Sequence, residues 1–465
     1  MIDPAPDPLD LQGSCPWARP GATWYNSEGT RDPRQRSMGM RKTWPALALT
    51  VALAFPFACG DSTDPSGGDA SWESLRSDLP RETAPGATTE EVDAVVRGGA
   101  DFVLDLMGRV EGEGNLLLSP TSIRIAFAMV YGGAHGQTAT EMETVLRYGG
   151  VDDVHEVLNA IDLALAERNL PEGDEGEDPV ELRLANAFWG RVDYPFRDDY
   201  LDLLAVNYGA GIERLDFGAS EEARAVINGW VEERTNDRIR DLLPAGSIDA
   251  LVVAVLTNAL YFRAPWAEPF AESLTVQEMF RRGDGSEVSV PTMHRAGELP
   301  YGDAGDCRAL ELPYRGGALG MVLLLPDGDD LASFVSSLTG ERLFEIVGTL
   351  EETEALVSLP RFEFESSLEL RDHLMAMGMP LVFTSADLSG MSDLGGLFVD
   401  QAYHKTFVAV DEKGTEAAAA TAVVIRENAI DPEVEFACDR PFLFFIRDRV
   451  TGEILFLGRV EDPSS

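Results

Sequence analysis

The chain has 465 residues, of which 45% are apolar and 25% charged, enough for one large globular core with appendages or for two or three smaller ones. Eighty acidic against 37 basic side chains give a net charge of -43, which excludes electrostatic capture by nucleic acid or by an anionic membrane surface. Four cysteines, Cys15, Cys59, Cys307 and Cys438, show neither zinc-site spacing nor the density of a disulfide scaffold, and no GxSxG, HExxH or GxxxxGK[ST] signature occurs. No metal, cofactor or hydrolytic site is therefore expected, and the acidic balance reads as a solvated surface that could attract basic partners.

In chain order, residues 40–60, MRKTWPALALTVALAFPFACG, set two basic residues before a short apolar stretch that ends at small and aromatic residues around Ala58 and Cys59. This is the layout of a secretory signal, too short and too disrupted by Pro56 to span a bilayer comfortably. Ala58-Cys59-Gly60 resembles the acylated cysteine of bacterial lipoproteins; Pro56 stands where that pattern has Leu, so plain secretion stays open beside lipidation. Residues 1–37 then read as a non-native or disordered extension, residues 38–59 as the signal, and the Ser/Asp/Gly/Pro/Thr-rich stretch 60–89 as a flexible linker. The expected location is extracytoplasmic, secreted or lipid-anchored, in a bacterium. A membrane is met only through Cys59.

Residues 90–463 show no comparable break and read as one domain. Between residues 92 and 110, Val95, Val96, Phe102, Val103, Leu106 and Val110 recur at helical spacing, and the NLLLSP run after them predicts a buried strand. Two further helices are predicted, IRIAFAMVYGGA after Ser122 and TATEMETVL after Gln137, the second opening on a capping-box pattern, Thr138 to Glu141. The acidic run EGDEGEDPVE at 172–181 reads as an exposed loop. RLANAFWG, LVVAVLTNALYF, RALELPY, MVLLLP, ALVSLP and FLFFIRD are short, apolar and bounded by Gly, Pro or Asp, as strands are. Early helices and late strands give an α+β class with more than one sheet.

Eight phrases of this domain resemble signatures of the serpin family, and in the family's order: NLLLSPTSI at 115–123, LANAFW at 184–189, INGWVEERTNDRIRDLL at 227–243 and LTNALYFRAPWAEPF at 256–270. VPTM at 290–293, LELPYRG at 310–316, HKTFVAVDEKGTEAAAAT at 404–421 and DRPFLFFIRDRVTGEILFLGRV at 439–460 complete the set. The resemblance implies the serpin fold, three β-sheets with eight to nine helices and an exposed reactive-centre loop. It also implies a suicide substrate rather than an enzyme: a target protease cuts the loop, the loop inserts into the main sheet, and the protease is trapped covalently. The partner is then a serine protease or, across class, a cysteine protease, and the inhibitor acts as a monomer. A serpin that binds or chaperones without inhibiting is the alternative.

A strand joining a sheet turns alternate side chains inward, so every second residue of an inserting hinge must be small or uncharged. From the hinge Glu412 and the bend at Gly414, one face carries Thr415, Ala417, Ala419 and Thr421, and the other Glu416, Ala418, Ala420 and Ala422; the first face holds no charge. Four consecutive alanines also favour helix, whereas the β-branched residues at 421–425 favour strand, a mixture suited to a mobile loop. The family's seventeen-residue spacing from Glu412 implies a reactive bond between Asn428 and Ala429; Arg426 and Glu427 are alternatives by protease chemistry, with a loop shorter by two residues or one. The resemblance further assigns Ser119, Ser122, Asn258 and His404 to a polar cluster under the main sheet, the shutter, and Trp266 to the breach where the loop enters. Cys307 and Cys438 either pair as a disulfide, if the protein is exported, or remain two buried thiols.

Overall fold

The computed structural model describes residues 72–110, 112, 114–173, 176–249, 252–328, 330–416 and 432–465. Nine α-helices occur among them: α1 (Thr89–Arg109), α2 (Pro120–Tyr131), α3 (Gly136–Val145), α4 (Val154–Ala166), α5 (Asp198–Tyr208), α6 (Ser220–Arg234), α7 (Leu331–Ser337), α8 (Gly340–Gly348) and α9 (Leu370–Met377). In α1 the periodic residues Val95, Val96, Phe102, Val103 and Leu106 are buried, as their spacing requires. The capping box falls elsewhere than expected. It closes α1, where the Thr88 hydroxyl accepts the Glu91 N–H and the Glu91 carboxylate accepts the Thr88 N–H. The expected box at Thr138 is displaced because α3 begins two residues earlier, at Gly136, and the buried Thr138 hydroxyl accepts the Asp387 N–H instead.

Among the described residues the main sheet has seven strands in the order β1 (Glu73–Leu75), β4 (Ile212–Leu215), β3 (Glu181–Arg191), β5 (Ala254–Pro265), β13 (Gly414–Thr415), β12 (Gln401–Val410) and β11 (Phe362–Glu369). Its centre is β5, whose first nine residues are all buried, as a strand covered on both faces must be. Two apolar clusters lie against it. The larger includes α1, α2 and the second sheet, and the smaller packs Ile227, Trp230 and Val231 of α6, with Leu242 and Val252 beyond it, on Trp189, Val255 and Tyr403. A helix laid over the middle of the sheet thus has its own small core beneath it.

The remaining strands are β2 (Leu116–Leu118), β6 (Val276–Arg281), β7 (Glu287–Asp303), β8 (Cys307–Pro313), β9 (Leu319–Pro326), β10 (Glu351–Pro360), β14 (Val434–Ala437), β15 (Phe442–Asp448) and β16 (Ile454–Val460). They form one hydrogen-bonded network in which the two smaller of the three expected sheets are joined. The 17-residue β7 causes the fusion: it pairs with β6 and β10 along most of its length and with β8 at Tyr301–Asp303.

The flexible linker expected over 60–89 is corrected from Trp72 onward, residues 60–71 lying outside the described residues. Strand β1 pairs antiparallel with β4 in the register Glu73 to Arg214, Ser74 to Glu213 and Leu75 to Ile212. Arg81 reaches Asn159 (2.9 Å) and Asp162 (2.6 Å), Asn159 donates to the Glu82 carbonyl (2.8 Å), and the Glu82 N–H donates to Val206 (2.9 Å). The polar composition is real, but these polar groups meet matched partners, and Leu75 and Ala87 pack against the larger core.

Cys307 and Cys438 carry free, buried thiols, so the disulfide alternative is not realised. Cys307 opens β8 and Cys438 follows β14, and β10 and β7 lie between those strands in the sheet order. Burial, with Asp306 nearby, pushes the Cys307 thiol up to about 12; burial beside Asp439 raises Cys438 as well. Both are inert structural thiols at neutral pH.

Candidate functional site

The site begins where β12 ends. Asp411 folds the chain back by accepting the N–H groups of Lys413 (2.8 Å) and Gly414 (3.2 Å) on its carboxylate, a turn any Asx residue favours. Gly414 and Thr415 then form β13, a two-residue wedge between β12 and β5: Thr415 lies opposite Val410 on one side and Ala264 on the other, and Gly414 opposite Pro265. Gly414 is required for its smallness. A Cβ there would stand 2.2 Å from the Ala264 carbonyl oxygen and 2.6 Å from the Pro265 Cα.

Further along, β5 and β12 pair directly and in parallel, from Gln401 opposite Val255 to Lys405 opposite Ala259. Between that stretch and the wedge, no β5–β12 pairing occurs among the described residues. The main sheet is joined along one half and parted along the other, with the hinge seated at the open end.

Below the junction sits a row of polar groups on three neighbouring strands, since Asn186, Asn258 and His404 lie directly opposite one another on β3, β5 and β12. The N-terminus of α2 closes the row. Ser122 Oγ donates to Asn186 Oδ1 (3.0 Å), Asn258 Nδ2 donates to Ser122 Oγ (2.7 Å) and to Asn186 Oδ1 (3.0 Å), and the Ser119 hydroxyl caps α2 at Ser122 N–H (3.2 Å). His404 joins both sides: its Nε2 accepts the Ser119 N–H (3.0 Å), so its Nδ1 carries the proton and donates to Asn258 Oδ1 (2.5 Å). Full burial pushes the His404 pKa down to about 3 and keeps the ring neutral. The four sequence-assigned shutter residues are thus one network, and Asn186 is a fifth member that sequence reasoning missed although it stands in the LANAFW phrase.

At the open end Trp266 stacks on Tyr314 with ring centres 4.7 Å apart, and its Nε1 donates to the Asp411 carbonyl (2.9 Å) while its backbone N–H donates to Lys413 (2.8 Å). The Tyr314 hydroxyl bonds Thr415 Oγ1 (2.7 Å), which fixes the Thr415 side chain inward, 2% exposed, as the alternation argument requires. Glu412 is buried, and burial alone would raise its pKa, yet hydrogen bonds from Arg361 and Thr275 hold it below the usual carboxylate range. Glu416 points the other way from Thr415, and its carboxylate is also covered, by Arg238. Arg361 and Thr275 had no local signal, whereas Tyr314 and Arg238 stand in the LELPYRG and INGWVEERTNDRIRDLL phrases without being singled out; each meets the hinge from 50 or more residues away.

The hinge residues Ala417, Ala418, Ala419, Ala420 and Thr421, the reactive bond at Asn428 and Ala429 with its alternatives Arg426 and Glu427, and Cys59 all lie outside the described residues. Among the described residues no group of His, Cys, Asp or Glu is arranged to hold a metal ion, and no helix is long and apolar enough to cross a membrane.

Residues 97–463 match the family model described as serpin, serine protease inhibitor. The chain is 39% identical over 434 residues to an uncharacterized serpin-like protein of Thermococcus kodakarensis, covering 91% of this chain and 99% of that protein. It is 39% identical over 361 residues to the leukocyte elastase inhibitor of Bos taurus, covering 75% of this chain and 93% of the relative. Among solved structures it resembles uncleaved ovalbumin, with a TM-score of 0.72 and 30% identity, over 80% of this chain and all of that one.

Proposed function

This chain belongs to the serpin family, and from that premise we propose that it inhibits serine endopeptidases as a suicide substrate. The target cuts the loop after Asn428, the acyl-enzyme ester holds the protease, and the freed segment follows Thr415 into the main sheet before water can cleave that ester. Family membership carries the inhibitor class at its coarsest, and relatives include a leukocyte elastase inhibitor. The observation that supports the finer reading is the wedge of Gly414 and Thr415 between β5 and β12, above a stretch where those two strands are parted. An inserting strand has a prepared place, and its first inward residue is uncharged.

The energetic scale is sufficient. About ten new backbone hydrogen bonds at roughly 1 kcal/mol each match the 5–15 kcal/mol stability of a whole domain. The deciding experiment mixes the protein with a panel of serine and cysteine proteases. A complex that survives boiling in detergent, with the new terminus at Ala429, is expected; clean cleavage by every protease with no such complex refutes inhibition, and a new terminus at Glu427 moves the bond to Arg426. In the same reading residues 38–59 export the domain in a bacterium and Cys59 carries a lipid. Palmitate labelling that persists in Cys59→Ser would refute the anchor.

A further inference from the structure

The hinge is held at its exit as well as at its base. Glu416 has a backbone φ of 56°, the left-handed region that residues with a Cβ avoid. Its N–H donates to the Ala409 carbonyl (2.8 Å), so the residue is still in register with β12, but a left-handed φ is not a strand conformation. Lengthening β13 in register requires Glu416 to rotate into the strand region.

The Glu416 carboxylate is 7% exposed and ion-paired to Arg238, whose guanidinium also lies 5.4 Å over the Phe407 ring of β12. Arg238 comes from the connection that leaves α6, a segment bent by Asn236 and Asp237, both left-handed at φ 50° and 60°. That connection is itself fastened to the sheet on both sides of the parted strands. Asn236 bonds Arg183 (3.2 Å) and Glu181 (3.3 Å) of β3, and Lys405 of β12 donates to the Arg240 carbonyl (2.8 Å). Besides Arg238, the charged and titratable groups facing Glu416 are Arg263 and Tyr261 of β5 and Glu181 of β3.

We propose that Arg238 is a positioning residue for loop insertion: it holds Glu416 in the turn at which the hinge leaves the sheet, and so limits how fast the cut loop follows Thr415 inward. The inference rests on the inhibitor reading above. It assigns the segment after α6 a function beyond covering the sheet, because the same short stretch bridges β3 and β12 and grips the first residue that must move. Burial raises the Glu416 pKa although Arg238 and Arg263 both act to lower it.

The test follows tryptophan emission by stopped flow when the protein meets a loop-cleaving protease, at protease concentrations where the observed rate has reached its plateau. Arg238→Gln and Glu416→Gln each remove the ion pair while keeping size and hydrogen bonding, and both should raise the plateau rate by roughly three- to tenfold, whereas Arg238→Lys restores the parental rate. A loss of packing alone would lower the urea midpoint of Arg238→Gln and leave the insertion rate untouched. Equal rates in the parental protein and both Gln variants overturn the latch and leave the inhibitor reading standing. A parental protein that shows neither an emission change nor added heat resistance after cleavage overturns both.

Discussion

Acid should weaken the main sheet through His404. In the folded protein the ring is buried and neutral, with a pKa near 3; in the unfolded chain it returns to about 6.5, so the unfolded state takes up the extra proton. The folded value is the lower one, hence the stabilisation is complete above pH 6.5 and drains away as the pH falls toward 3. Between pH 7.5 and pH 5 the loss from this group amounts to about 2 kcal/mol, 1.5 pH units at about 1.4 kcal/mol each. Protonation has a geometric reason to be costly, since Nε2 accepts the Ser119 N–H and Nδ1 is already a donor. A second proton would set two donors face to face. The comparison is with His404→Gln, whose amide can accept from Ser119 and donate to Asn258 without titrating, which cancels the contributions of Asp411, Glu416 and Glu453, three carboxyls that burial raises. Urea unfolding followed by tryptophan emission at both pH values should show the parental protein losing about 2 kcal/mol more than the variant. Equal losses would mean that the ring is charged or hydrated in the folded protein and that His404 does not join Ser119 to Asn258 as a neutral imidazole.

Thr415→Arg should turn the inhibitor into a substrate, because Thr415 is buried against the Tyr314 hydroxyl and a guanidinium there would be taken out of water; trapping equal to the parental protein in a gel assay would contradict the inward face. Arg361→Ala leaves the buried Glu412 carboxylate with Thr275 alone, and a loss of about 2 kcal/mol in urea unfolding is expected; a change below about 0.5 kcal/mol would show that the half-exposed arginine contributes little. Cleavage in the loop should raise the melting temperature by roughly 10–15 °C, the equivalent of about ten new hydrogen bonds in a domain of this size; an unchanged melting curve would exclude insertion. Alkylation of the denatured, unreduced protein should modify both Cys307 and Cys438, and a cross-linked peptide containing the two would refute the free-thiol assignment.

Much of this fold is legible from local pattern. The α1 stripe, the buried run of β5 and the polar row of Asn258 and His404 are written in residues whose spacing or phrase already announces them. What is not legible is pairing at a distance. The strap after Trp72 reads as a tether because its own composition is polar, and only the positions of Asn159 and Asp162 on α4 reveal that it is tied down. Arg361 and Arg238 look like ordinary surface arginines until the fold brings Glu412 and Glu416 to them. The box at Thr138 fails for a related reason: a capping pattern specifies a helix start only when no tertiary donor, here Asp387 N–H, claims the hydroxyl first.

The register of the wedge decides what the loop may contain. With Thr415 opposite Val410 and Ala264, its side chain faces the core, and strict alternation then sends every second residue after it inward. A slip by one residue would carry Glu416 into the apolar interior and turn Thr415 out, reversing which face of the alanine-rich hinge must be uncharged. Two features oppose that slip before any protease arrives. Only a residue without a Cβ fits beside Ala264 and Pro265, which pins Gly414 to its place, and the buried Glu412, held by Arg361 and Thr275, fixes the turn two residues upstream. The sequence order Glu412, Gly414, Thr415 is therefore a register mark that sets the facing of any residue joining β13 in register.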